Sequence, residues 1–165
     1  LRFSLRGRDE LEEAVELLTT NETYFFREEY QLRAFSDEVL WIINRANHPY
    51  VGGCVDTNNS LMVGEDPLTA IRKLAPVSFT NHFSDHRIVF DQYGCRIVGV
   101  ATGTGDVPMR EAYQIIRANP NMKRLNIEVE FDPEDDGPEE ARRREYQAVV
   151  DSIRFTREEL GVGQE

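Results

Sequence analysis

Three side chains able to hold a divalent metal, Asp56, His82 and Glu128, stand at spacings that a strand–helix alternation would bring together. Asp56 follows the apolar run Val51–Val55, His82 lies near the end of Val77–Phe83, and Glu128 lies within Leu125–Phe131. A carboxylate–imidazole–carboxylate set suits Mn, Mg, Co or Zn and leaves positions open for a substrate. A metal so held polarises a carbonyl and acidifies the adjacent C–H, and a carboxylate can then move the proton. Singly, each residue has a plainer reading: a turn or cap aspartate, a satisfied interior histidine, a paired strand glutamate. Their shared place at strand ends makes them a candidate site.

That site requires parallel strands, because only then do the C-terminal ends and their loops meet on one side. The stretch from Val51 to Glu130 reads strand, loop, helix repeatedly. Val51–Val55 reads as a strand buried on both faces. Asp66-Pro67 opens a helix, with an N-cap followed by proline in the first turn, and Leu68, Ile71, Leu74 and Ala75 inward. Val77–Phe83 is a second strand. Arg87–Val100 reads as a hairpin turning at Asp91–Gly94. Met109–Ala118 is a helix with Met109, Ala112, Tyr113 and Ile116 inward, and Leu125–Phe131 is a third strand.

The flanks follow the same logic. Asp9–Leu18 is a helix with a capping-box pair, Asp9 and Glu12. Ser36–Ala46 is a helix with Ser36 as N-cap, Val39, Leu40, Ile43 and Ala46 inward, and a stop at Asn47-His48-Pro49. The last helix runs from Pro138 to about Glu159, with Tyr146, Val149, Val150 and Ile153 inward. The acidic loop Asp132–Glu140 lacks the glycine placement of a calcium loop and reads as solvated.

Several motifs in order resemble the C-terminal half of the xylose-isomerase-like TIM-barrel family of sugar phosphate isomerases and epimerases, over about residues 36 to 131. They are CVDTNNSLMVGEDPL, HFSDHR, GVATGTGDVPM and NIEVE. The resemblance implies Asp56, His82 and Glu128 as metal ligands, with Glu128 doubling as the base. It implies Asn59, Asp85 and Arg87 around the substrate, with Arg87 also catalytic, and a loop shaped by Gly103, Gly105 and Asp106. Ser84 stands where the family often has lysine. The family's further ligand is a glutamate from an earlier strand, and Glu29, or Glu28 in the adjacent register, is at nearly that distance.

Residues 5 to 40 resemble a different family. TNETYFFR, with Thr20, Asn21, Thr23, Phe25, Phe26 and Arg27, is similar to the N-terminal part of the chemotaxis-receptor glutamate methyltransferases. That resemblance implies Asn21, Thr23 and Arg27 near a methyl-donor cofactor. The glycine-rich cofactor loop it requires does not follow, and Arg96–Asp106 fits the barrel motif better.

Composition narrows the partners. The net charge of -11 excludes nucleic acid and an anionic membrane as principal partners. No apolar run reaches the roughly 18 residues of a membrane span, and no signal peptide is visible. Cys54 and Cys95 stand alone and read as reduced thiols in a cytoplasmic protein. The first residue is Leu1, not Met.

The expected fold is therefore α/β, a partial (β/α) barrel (half a TIM barrel) with an atypical N-terminal helix–strand segment. Residues 1–40 form the methyltransferase-like segment and 41–165 the barrel half. A full barrel needs roughly 200 to 250 residues, so a truncated or recombined barrel is expected. The expected function is divalent-metal-dependent isomerisation or epimerisation of a sugar or sugar-phosphate-like small molecule. The alternative is a non-catalytic fragment or assembly module whose barrel is completed by a second copy or another subunit. A methyltransferase-derived protein is the third reading.

Overall fold

The computed structural model describes residues 34–92, 94–130 and 137–163. The chain divides into two units between Arg33 and Ala34, and every described residue belongs to the second. The expected boundary after residue 40 falls inside that unit's first helix, α1 (Phe35–Ala46). The expected Asp9–Leu18 helix and the candidate strand Tyr24–Arg27 lie outside the described residues.

Helix α1 corrects two expectations. Its N-cap is Ala34, which makes no side-chain cap bond. Ser36 lies buried in the first turn, where its N–H and hydroxyl donate to the Glu65 carboxylate at 3.0 and 2.5 Å. The acceptor for the orphan amides at this helix start is thus borrowed from 29 residues away. Ala46, expected inward, is exposed, as are Trp41 and Ile42. Asn47 closes the helix in the left-handed conformation at φ 42°, as the Asn-His-Pro stop suggests.

Next come β1 (Gly53–Asp56), a single helical turn α2 (Asn59–Met62) and α3 (Pro67–Leu74). Asp66 caps α3 by accepting from the Thr69 N–H at 2.8 Å, with Pro67 in the first turn as expected. A 3-10 turn, Ala75–Val77, leads into β2 (Ser78–His82). β2 lies parallel to β1, with Asp56 opposite His82. The third strand is shorter than expected. It makes one parallel bridge, Phe83 to Ile127, in which the Phe83 N–H donates to the Asn126 carbonyl at 2.8 Å and the Glu128 N–H to the Phe83 carbonyl at 3.2 Å.

Between these parallel strands the chain makes the expected hairpin, β3 (Asp85–Asp91) paired antiparallel with β4 (Gly94–Val100). Two helices complete the described fold, α4 (Met109–Arg117) and α5 (Pro138–Glu158).

The core lies between the parallel strands and the helices. Val55 and Phe83 point into it and meet Ile71 and Leu74 of α3 and Ala112 and Ile116 of α4. Residues alternate along a strand, so Cys54, Asp56 and His82 take the opposite face. That face is open: Cys54 is exposed, which corrects the expectation that this strand is buried on both sides. No closed barrel forms among the described residues, where the parallel strands are β1, β2 and the Ile127 bridge. The fold is the expected α/β partial barrel.

Helix α5 docks on an unexpected face. Of the four residues expected inward, Tyr146, Val149 and Ile153 are exposed and Val150 is half-buried, while Ser152 and Thr156 are buried. The cause is polar as much as apolar. The Ser152 hydroxyl accepts the Thr102 N–H at 2.9 Å, and Phe155 packs where a Cβ on Gly103 would clash. Gly103 also has φ +90°, which disfavours any side chain there.

Candidate metal centre

Parallel pairing places Asp56 at the end of β1 beside His82 at the end of β2. The Ile127 bridge brings Glu128 to the other side of His82. The side chains meet on the open face. His82 Nδ1 is 3.0 Å from Glu128 Oε2 and 3.6 Å from Asp56 Oδ2. Each residue offers one ligand atom, and these atoms all lie within 4.8 Å of one another. Asp56 is the sheltered member at 10% side-chain exposure, while Glu128 (37%) and His82 (46%) are open to solvent.

The surroundings fit a metal. Asp56 Oδ1 accepts the Asn58 N–H at 2.9 Å and the Ser84 hydroxyl at 3.0 Å, which leaves Oδ2 facing the histidine. One carboxylate oxygen is thus anchored and the other faces His82 Nδ1, as in a carboxylate with outer-shell support. Among the described residues no lysine or arginine pairs with these two close carboxylates, which favours a cation between them. The donor set, two hard oxygens and one imidazole nitrogen, suits the divalent ions named above.

Of the residues expected around the substrate, Asn59 is exposed at the start of α2, just past β1. Arg87 is exposed on β3 and donates from Nη2 to the Thr104 carbonyl. Asp85 has a different setting. It is 1% exposed, and its Oδ2 accepts the Gly103 and Gly105 N–H groups at 2.8 Å each, while Oδ1 accepts the Val107 N–H at 3.3 Å. Burial pushes its carboxyl above the ordinary aspartate range, against the lowering effect of those amides. Gly105 leaves no room for a Cβ against Asp85 and the His86 carbonyl. Asp106 completes the loop by accepting the Ile88 N–H at 2.7 Å. Glu29 and Glu28, and with them Thr20, Asn21, Thr23 and Arg27, lie outside the described residues.

The sequence reading missed several neighbours of the site. Cys54 lies two residues before Asp56 and so on the same strand face. Partial desolvation at the sheet face, and then the charges of Asp56 and Glu128, push its thiol above the ordinary range. The period of two along β1 was the available signal. Thr57, Asn58 and Ser84 are fully buried beneath Asp56. Ser84 drew notice only for the lysine it replaces.

The fold is similar to that in the crystal structure of a xylose isomerase domain protein from Planctomyces limnophilus. The TM-score is 0.57 at 23% sequence identity, over 76% of this chain and 44% of that one. The chain thus spans less than half the length of that protein. No protein-family model matches the sequence, and no curated protein is similar to it. Nothing in these comparisons supports the methyltransferase resemblance of residues 5 to 40. What they support is the other one: the chain carries a xylose-isomerase-like α/β fold.

Proposed function

We propose that this chain carries the metal-binding part of a sugar isomerase or epimerase, with Asp56, His82 and Glu128 as ligands of a divalent ion. The observation that carries this reading is the convergence of two carboxylates and one imidazole from the ends of two parallel strands and the residue after the Ile127 bridge, with ligand atoms within 4.8 Å of one another. Bound there, a divalent ion supplies electrophilic polarisation of a carbonyl and its neighbouring hydroxyl.

The protein's own groups do the rest. Asp56 holds its ligand oxygen still through Oδ1. Glu128, the more exposed carboxylate, has an oxygen not engaged by His82 and is the group placed to take a proton from carbon beside the substrate carbonyl. Asn59 and Arg87, both exposed, are the proposed substrate contacts. Asp85 supports the Gly103–Val107 loop through its backbone contacts. The substrate class is a sugar or sugar phosphate.

The test is titration of chelator-stripped protein with Co or Mn, with His82→Ala beside it. Solvent deuterium incorporation into ketoses, aldoses and their phosphates is then followed. Stoichiometric binding lost in the variant, with deuterium appearing next to the carbonyl, supports the proposal. Absence of binding in the parent protein at millimolar metal sinks it.

A second reading is favoured by one observation. Trp41 (59%) and Ile42 (58%) on α1, Tyr50 (87%) before β1 and Phe79 (50%) on β2 beside Gly52 are exposed, in a chain that covers 44% of the similar structure. Such a surface suits a partner that completes the barrel, either a second copy or another subunit. Sedimentation velocity across a hundredfold range of concentration addresses the self-association form. A monomer throughout counts against it.

A further inference from the structure

Beneath the candidate ligands runs a buried polar chain: Asn58 to Ser84 to Asp56. Asn58 Nδ2 donates to Ser84 Oγ at 2.5 Å, and Ser84 Oγ donates to Asp56 Oδ1 at 3.0 Å. Asn58 and Ser84 are each 0% exposed. A serine hydroxyl has a single hydrogen. With the Asn58 amide occupying a lone pair on Ser84 Oγ, that hydrogen is directed to Asp56.

The middle of this chain is held in place. The Thr57 hydroxyl accepts the Ser84 N–H at 2.9 Å and donates to the Ser84 carbonyl at 2.5 Å, and Thr57 is itself 0% exposed. The Thr57 N–H in turn donates to the His82 carbonyl at 3.1 Å. The backbone at Ser84 is therefore pinned to the same strand ends that present Asp56 and His82. A hydroxyl so fixed has little freedom to leave its acceptor.

We infer that Ser84, aligned by Asn58 and clamped by Thr57, is a positioning residue that locks Asp56 Oδ1 and so presents Asp56 to a metal through Oδ2 alone. This rests on the metal-centre reading above and deepens it. It assigns a purpose to the small buried serine in the Phe83-Ser84-Asp85 segment. Without the hydroxyl, Oδ1 keeps the Asn58 N–H as its one donor among the described residues and can swing toward the ligand side. The carboxylate then gains access to a two-oxygen binding mode, and the ordered geometry of the site is lost.

The experiment uses Co(II) alone as probe, on full-length protein stripped of metal. Affinity comes from calorimetry and coordination from the visible absorption spectrum. Ser84→Ala is expected to weaken Co(II) binding by roughly 10- to 100-fold, the usual effect of removing an outer-shell partner, and to change the spectrum. Ser84→Thr, which keeps the hydroxyl, is expected to restore both. Metal-free melting curves separate this from a purely structural role, which would lower the metal-free melting temperature of Ser84→Ala while leaving the Co(II) spectrum of the folded variant like the parent's. If Ser84→Ala does not fold, Ser84→Cys keeps the shape with a much weaker donor, and the same loss and spectral change are expected.

Parent-like affinity and spectrum in Ser84→Ala, or in Ser84→Cys where alanine does not fold, overturn the positioning role and leave the metal centre standing. Failure of the parent protein to bind Co(II) overturns both. Weakened binding with an unchanged spectrum also overturns the inference, because the Asp56 binding mode would not have moved.

Discussion

Two clusters of carboxylate and histidine lie within a few residues of each other in this chain, and they are built for opposite ends. The first, Asp56, His82 and Glu128, opens to solvent at the strand ends. The second surrounds Asp85 and His86 at the base of the hairpin, with both residues buried. Asp85 spends its oxygens on loop amides, and His86 Nε2 meets Glu130 Oε2 at 2.6 Å. The two aspartates carry the contrast: Asp56 gives one oxygen to the Asn58 N–H and the Ser84 hydroxyl and turns the other toward His82, whereas both Asp85 oxygens accept loop amides. A carboxylate with one oxygen turned to an exposed imidazole is open to a ligand, and one whose oxygens all meet backbone donors serves the loop.

The largest effect should come from His82→Ala, which removes the central nitrogen of the open cluster. Stoichiometric Co or Mn binding should disappear in calorimetry. Because His82 is nearly half exposed, denaturation should shift by only about 0.5 kcal/mol. A large loss of stability instead would erase the contrast between the clusters.

Asp85→Ala should do the reverse. It strands the Gly103, Gly105 and Val107 amides around a buried gap and should cost on the order of 3 kcal/mol in urea unfolding. Metal affinity should stay within a few-fold of the parent protein. A hundredfold loss of affinity in a folded Asp85→Ala protein would show that the two clusters act as one.

A carboxylate that serves structure from an exposed position sharpens the comparison. Asp66 accepts from Thr69 at the start of α3, and that hydrogen bonding holds its carboxyl below the ordinary range. Asp66→Ala should cost about 1 kcal/mol, a typical N-cap effect. The sign follows from the lowered pKa. The contribution is present above the unfolded aspartate's titration range and fades as pH falls through the lower folded value. The difference between parent and variant should therefore be full at neutral pH and vanish in strong acid. A difference that grew on acidification would contradict the assignment.

The smallest effect belongs to Tyr146→Ala. Tyr146 is 70% exposed on α5, so unfolding should change by no more than about 0.5 kcal/mol. A loss of 2 kcal/mol would mean that this side chain has an apolar partner after all.

These elements show how far the chain could be read by itself. Asp66-Pro67, the Asp91–Gly94 turn and the Asn47 stop are local signals, fixed by backbone sterics within a few residues, and the structure follows them. Ser36 carried an equally good local signal and fails, because Glu65 arrives from across the fold to accept its hydrogens. The apolar spacing of Tyr146, Val149 and Ile153 likewise loses to Ser152 and Phe155, which fit the Thr102–Gly103 turn. Helical periodicity reports an apolar stripe but not which stripe finds a partner.

The candidate site divides the same way. Asp56, His82 and Glu128 were legible because a strand–helix alternation in a parallel sheet puts the strand ends on one side whatever the loops contain. The sequence by itself therefore determined the α/β alternation and the three residues carried to one end. Only the tertiary structure decided that Asp85 turns inward to hold a loop, that Cys54 shares the open face, and that Asn58 and Ser84 lie under Asp56. Those outcomes depend on which backbone amides and hydroxyls reach each carboxylate, and hydrogen bonds between residues 18 to 28 positions apart leave no periodic trace in the sequence.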